Sequence, residues 1–129
     1  MRSYLSYRRG KYAETLLIKQ LRKQGFWATR LPRSGKSYFV DVIGIRKGKV
    51  ILAEVKRRRT ARDIYIEKWK YERMRRIMDV TGATFLLILY IQSLNLWLAR
   101  RIDDYDKMTE KHVVYKINDK WRSLDSFLS

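Results

Sequence analysis

Residues 38–57 read YFVDVIGIRKGKVILAEVKR, two strand-like runs on either side of Lys47-Gly48. Side chains alternate faces along a strand, so Val50, Leu52, Glu54 and Lys56 share one side and Ile51, Ala53 and Val55 the other. A carboxylate and an ammonium two residues apart in so apolar a run need partners, because burying an unpaired charge is expensive. An ion pair at a strand end would satisfy them. A metal and a phosphate completing the arrangement would do so as well. Lys47-Gly48 is a tight-turn signal, weaker than Asn-Gly. If the loop is even-numbered and centred on these two residues, Asp41 lies opposite Glu54 with β-carbons about 4.5–5.5 Å apart. A loop one residue longer would put the two acids on opposite faces.

The rest of the chain supplies a frame for that hairpin. Ala13, Leu16, Leu17, Gln20 and Leu21 recur at helical spacing over 8–24, with Gly25 placed to cap the C-terminus. FWATRL (26–31) is a short strand stopped by Pro32, and RSGKS (33–37) is a loop. RRTARD (58–63) is a basic loop, and a second helix fits 67–81, ended by Gly82. ATFLLILYI (83–91) is a continuous apolar run, as in a strand covered on both faces. LNLWLA (94–99) alternates as the next strand, HVVYKI (112–117) reads as a strand, and SLDSFL (123–128) as a last helical turn or two. The order α-β-β-β-α-β-β describes an α/β domain, a mixed central sheet flanked by helices, with residues 8–91 as its body and 92–129 as C-terminal strands and tail.

Composition narrows the function. The 129 residues suit a single domain with an ordinary core. No apolar run reaches the roughly 18 residues of a membrane span, and the cationic N-terminus lacks the apolar stretch of a secretory signal. Cysteine is absent and His112 is the single histidine, which excludes cysteine–zinc and multi-histidine sites. Thirty Lys and Arg against thirteen Asp and Glu give a net charge of +17, far beyond what solubility needs. The cations lie in patches along the whole chain, so the folded body is expected to bind a polyanion.

Two facing carboxylates repel unless a cation lies between them. With no His or Cys to hand, a hard divalent ion suits them: magnesium takes oxygen ligands, keeps waters and accepts phosphate oxygens. Lys56 on the same face would then point at the phosphate or a metal-activated water, the ingredients of phosphodiester hydrolysis. Glu14 lies at the edge of the apolar face of the first helix, where it is a candidate for the same site or a surface partner of Lys11 or Lys19. RSGKS lacks the spacing of a phosphate-binding P-loop, so no nucleotide triphosphate site is expected. Most of the aromatics near basic residues (Tyr7, Tyr12, Trp27, Trp69, Tyr71) read as packing residues. Tyr65 is the exception, a candidate for stacking on bases.

The ordered set G-x-x-x-E (10–14), R-x-P-x-S-G (30–35), D-V-I-G (41–44), E-V-K (54–56) and I-Y-I (64–66) resembles the archaeal Holliday junction resolvases, members of the restriction-endonuclease-like PD-(D/E)xK nucleases. The resemblance runs from residue 8 to about 91 and departs from the superfamily pattern at Val40, where its name implies proline. It implies a catalytic set of Glu14, Ser34, Asp41, Glu54 and Lys56, with Glu14, Asp41 and Glu54 on magnesium (or manganese in its place). It implies a homodimer cutting four-way junction DNA, in the cytoplasm of an archaeal cell or an archaeal virus's host. Arg30 and Arg33 flank the serine loop and would meet the DNA backbone. Arg9, Lys11, Lys36, Arg57, Arg58, Arg59 and Tyr65 complete the expected DNA contacts. Phe85, Leu87 and Leu89 are candidates for either core or dimer interface. Two other readings fit the same residues: a nuclease for duplex, flap or fork DNA, and a non-catalytic basic DNA-binding protein.

Overall fold

The computed structural model describes residues 4–32 and 40–129, with side chains from residue 11 onward. Helix α1 (Tyr4–Lys23) is followed by strands β1 (Trp27–Arg30), β2 (Val42–Arg46), β3 (Lys49–Arg58) and β4 (Ile64–Glu67). Helix α2 (Lys68–Thr81) leads into β5 (Thr84–Ile91), a 3-10 turn (Gln92–Leu94) and β6 (Leu96–Arg101). Short strands β7 (Lys107–Met108), β8 (His112–Tyr115) and β9 (Arg122–Ser123) and a terminal turn α3 (Asp125–Leu128) complete the chain. The central sheet has the order β1-β2-β3-β5-β6-β9, and a second sheet the order β4-β8-β7. Among the described strands of the central sheet only β3 and β5 run parallel, with α2 in the connection between them; the other neighbours are antiparallel.

The β2–β3 hairpin turns on Lys47 and Gly48, at φ of 47° and 81°. Positive φ at both loop positions is what a two-residue hairpin of matching twist demands, and glycine meets it without strain. The loop is therefore even, and Arg46 pairs with Lys49, Ile45 with Val50 and Val42 with Ala53. This is the register expected from the sequence. At the end of α2, Gly82 adopts φ 67° and its N–H bonds the Met78 carbonyl, so the helix stops where its sequence indicates.

Alternation along β3 and β5 sorts the core into two layers. Leu17, Ile18 and Leu21 of α1 pack with Ile51, Ala53, Leu86 and Ile88 on one face. Leu52, Phe85, Leu87 and Leu89 pack on the other with Met74 and Met78 of α2 and with the second sheet. Phe85, Leu87 and Leu89 are wholly buried within one chain, so they belong to its core and present nothing to a second copy.

Several expectations shift. IYI (64–66) is a strand: Ile64 and Ile66 point inward while Tyr65 is exposed, and their partner strand, β8, lies far along the chain. A two-residue alternation alone is too short a signal for such a pairing. β6 starts at Leu96, because Asn95 adopts a left-handed conformation that closes the preceding turn. The strand expected from 38 is described from Val42. Tyr12, Trp27 and Trp69 are exposed and do not pack in the core, whereas Tyr71 does.

Residues beyond 91 contribute to both layers, through Ile102, Val113, Tyr115 and Trp121 on one side and Leu124 and Leu128 on the other. Their organising group is Arg100, which has no solvent exposure. It pairs with Asp106 at 3.1 Å, donates to the Asp104 and Lys116 carbonyls, and lies against the Tyr115 and Trp121 rings. Burial alone would raise the Asp106 carboxyl's pKa. The Lys116 N–H, the Asn118 amide, Lys120 and Arg100 outweigh it and hold the group below the ordinary carboxylate range. Asp106→Asn should cost about 3 kcal/mol at pH 7 in urea unfolding, since it strands a buried guanidinium. The depressed group stabilises the fold above about pH 4, so the gap to wild type should narrow as pH falls below that value.

Candidate active site

At the entrance to β2 the chain bends at Asp41. The Asp41 N–H donates to the Ala53 carbonyl (2.8 Å), and its carbonyl accepts from the Leu31 N–H (3.1 Å). Oδ2 of Asp41 accepts from the Val55 N–H at 2.8 Å. A side-chain oxygen thus stands where a neighbouring strand would have offered a carbonyl, which anchors the carboxylate against the backbone between Glu54 and Lys56. Asp41 lies just outside the regular ladder, one step past the Val42–Ala53 pair that fixes it beside Glu54.

Glu54 and Lys56 share a strand face with Leu52, and Lys56 Nζ lies 3.3 Å from Glu54 Oε1. The two side chains are 14% and 26% exposed, sheltered yet open to a ligand. The two charges therefore satisfy each other, and both border solvent.

Glu14 arrives from α1, which covers the other face of the sheet. It is 3% exposed, and Arg30 Nε donates to its Oε1 at 2.8 Å. The same guanidinium bonds the Thr15 hydroxyl (2.7 Å) and the Lys11 carbonyl (3.1 Å), tying α1 to β1. Glu14 is thus a buried partner of Arg30, and Arg30 is turned toward the helix. Among the described residues no three acidic or imidazole side chains stand close enough to hold one metal ion. Of the expected trio of Glu14, Asp41 and Glu54, Glu14 is held by Arg30. The oxygen-only pair of Asp41 and Glu54 still fits a hard divalent ion whose other positions are filled by water and phosphate oxygen.

Cations surround this centre. Arg57 and Arg58 continue β3 beyond Lys56, Arg59 follows its end, and Lys11 is exposed on α1. Tyr65 is 60% exposed, with its ring edge-on to His112 at 6.1 Å. One helical turn further on, Arg73 lies over Trp69 at 5.6 Å, an exposed aromatic–cation pair that the helical pattern of α2 had assigned to packing. Ser34, Arg33 and Lys36 fall in 33–39, outside the described residues, and Arg9 lies in α1 with its side chain outside them. The Arg30–Glu14 pair had no signal in the sequence, because its members are 16 residues apart on different elements.

Breaking a largely buried ion pair leaves one charge uncompensated, whereas replacing both members removes the penalty. Arg30→Met should lower urea stability by about 2 kcal/mol, allowing for the partial exposure of Arg30, and the double change Arg30→Met with Glu14→Leu should restore most of it.

A family model for the archaeal Holliday junction resolvases (Hjc) matches residues 5–126. The chain is 37% identical over 82 residues to a crossover junction endodeoxyribonuclease Hjc of Sulfurisphaera tokodaii. That match covers 61% of this chain and 57% of the relative's length. Among solved structures, Hjc of Archaeoglobus fulgidus, a Holliday junction resolvase, superposes with a TM-score of 0.80 at 21% identity, covering 93% of this chain and all of the other. The bacterial homing endonuclease I-Ssp6803I shares the fold more loosely, with a TM-score of 0.56 at 13% identity over 89% of this chain and 80% of that one. Matched from the first helix to the last turn by one family model, with the restriction-endonuclease-like fold to go with it, the chain belongs to the archaeal Holliday junction resolvase family.

Proposed function

We propose that the chain is a structure-selective endonuclease that resolves four-way DNA junctions by magnesium-dependent phosphodiester hydrolysis, as a homodimer making paired cuts. The observation that carries this reading is the hairpin register, which sets Asp41 beside the Glu54–Lys56 pair at one end of the parallel strands. Family membership, the names of the relatives and the +17 charge support it.

Asp41 and Glu54 would hold the ion, with Glu14 joining only if Arg30 releases it. Bound there, a hard divalent cation supplies Lewis acidity toward the phosphate and lowers the pKa of water. The Val55 N–H fixes the Asp41 carboxylate in advance, so little reorganisation is needed on loading. The Lys56 ammonium, already held by Glu54, is placed to offset negative charge developing on the phosphate oxygens. Ser34 belongs to the loop expected near the scissile phosphate. Arg9, Lys11, Arg33, Lys36 and Arg57 to Arg59 would grip the backbone, and Tyr65 would pack on sugar or base. Backbone contacts position without reading sequence, so selectivity should follow the shape of the branched DNA. Two symmetric strands call for two sites, which an isologous dimer supplies.

The test is cleavage of an end-labelled immobile four-way junction beside its linear duplex, with magnesium or chelator. Wild type should cut opposing strands of the junction only, with manganese able to replace magnesium. Asp41→Asn should lower the rate at least about 100-fold while retaining binding. Cutting of both substrates would move the assignment to a duplex, flap or fork nuclease. Binding without cutting under any divalent metal would leave a non-catalytic DNA-binding protein.

A further inference from the structure

The connection from β5 to β6 presents two leucines to solvent on either side of one residue: Leu94 is 66% exposed and Leu96 38%. The turn that carries them is braced. Asn95 closes it at φ 45°, with its N–H on the Gln92 carbonyl at 3.2 Å. The Tyr90 hydroxyl donates to Asn95 Oδ1 at 3.1 Å, and the Tyr90 ring stacks on Trp97 at 4.4 Å. Apolar side chains held out on a rigid turn lose little entropy when something covers them.

Their neighbourhood identifies the kind of molecule that covers them. The Ser93 N–H donates to the Arg59 carbonyl at 3.0 Å, and Ile91 and Tyr90 pair with Arg58 and Arg57. The tip is therefore fastened to the basic end of β3. Arg57 Nε is shielded from solvent and has no hydrogen-bond partner. At about 3.3 Å per residue, Arg58 at the end of β3 is roughly 7 Å beyond Lys56, so Arg57 and Arg58 are within reach of the DNA strand that would be cut. An apolar tip whose backbone is fastened to the arginine-bearing end of β3, on a chain of charge +17, suits a polyanion with exposed apolar faces better than a second cationic copy. Paired duplex bases hide those faces in the stack. The bases beside a crossover do not, and leucine is among the side chains that wedge into opened base steps.

We propose that Leu94 and Leu96 form an apolar wedge that packs on the unstacked bases at the branch point of a DNA junction, with Arg57 on the adjoining phosphates. This rests on the junction-resolvase reading above and adds the element that recognises the branch.

The test uses the full-length protein and a four-way junction carrying 2-aminopurine beside the crossover, with affinity for the matching duplex measured in parallel. Wild type should raise the probe's fluorescence on binding. Leu94→Ser with Leu96→Ser should at least halve that rise and lower the ratio of junction to duplex affinity about tenfold. Leu94→Met should retain both, and Arg57→Gln should weaken the two substrates by a similar factor. Serine variants that match wild type in fluorescence and ratio would overturn the wedge alone. So would serine variants that sediment as a smaller species, because the leucines would then join two copies. A wild type without preference for junctions would overturn the resolvase reading and the wedge with it.

Discussion

The arrangement depends first on a two-residue turn. With Lys47 and Gly48 both at positive φ, the β2–β3 loop has an even length, and every residue of the hairpin then has its face assigned. A slip of one residue would carry Leu52, Glu54 and Lys56 together to the face that packs against α1, at a cost in both desolvated charge and lost packing. The pattern of β3 and the geometry of the turn therefore reinforce each other. The carboxylates are placed by the same constraint that builds the core.

Around this hairpin the sheet acts as a partition. β5 is buried on both faces, because α1 covers one side and α2 with the second sheet covers the other. A strand of that kind has no alternation to display, which is why 84–91 reads as a continuous apolar run. Its neighbour β3 shares this environment only from Ile51 to Ala53 and then leaves it, passing into Glu54, Lys56, Arg57 and Arg58. The candidate site lies where β3 runs out of core.

Charge is handled in two ways. Buried charges are paired: Arg100 with Asp106, and Glu14 with Arg30, each within a set of further hydrogen bonds. Both pairs link elements distant in sequence, so they act as clamps between layers. Other cations, Lys11 and Arg59 among them, stay exposed, and their mutual repulsion works against the fold. Glu54 and Lys56 lie between these regimes, mutually paired but open at the edge.

Much of the fold was legible in the amino-acid order, because the relevant forces are local. Helical spacing marked α1 and α2, Gly82 ended the second helix, and the turn residues set the hairpin register that joins Asp41 to Glu54. The apolar run at 83–91 announced a strand buried on both sides, and the charge announced a polyanion. What only the tertiary structure decided depends on residues meeting across long stretches of chain. Ile64 to Glu67 became a strand because β8 was there to pair with it. Phe85, Leu87 and Leu89 joined the core because α2 and the second sheet cover them. Glu14 found a buried partner in Arg30, and the turn carrying Leu94 and Leu96 was fastened to the end of β3 through Ser93 and Arg59. Spacing along a chain specifies which face a side chain takes, but its partner is set by the packing of whole elements, where burial and ion pairing are settled together.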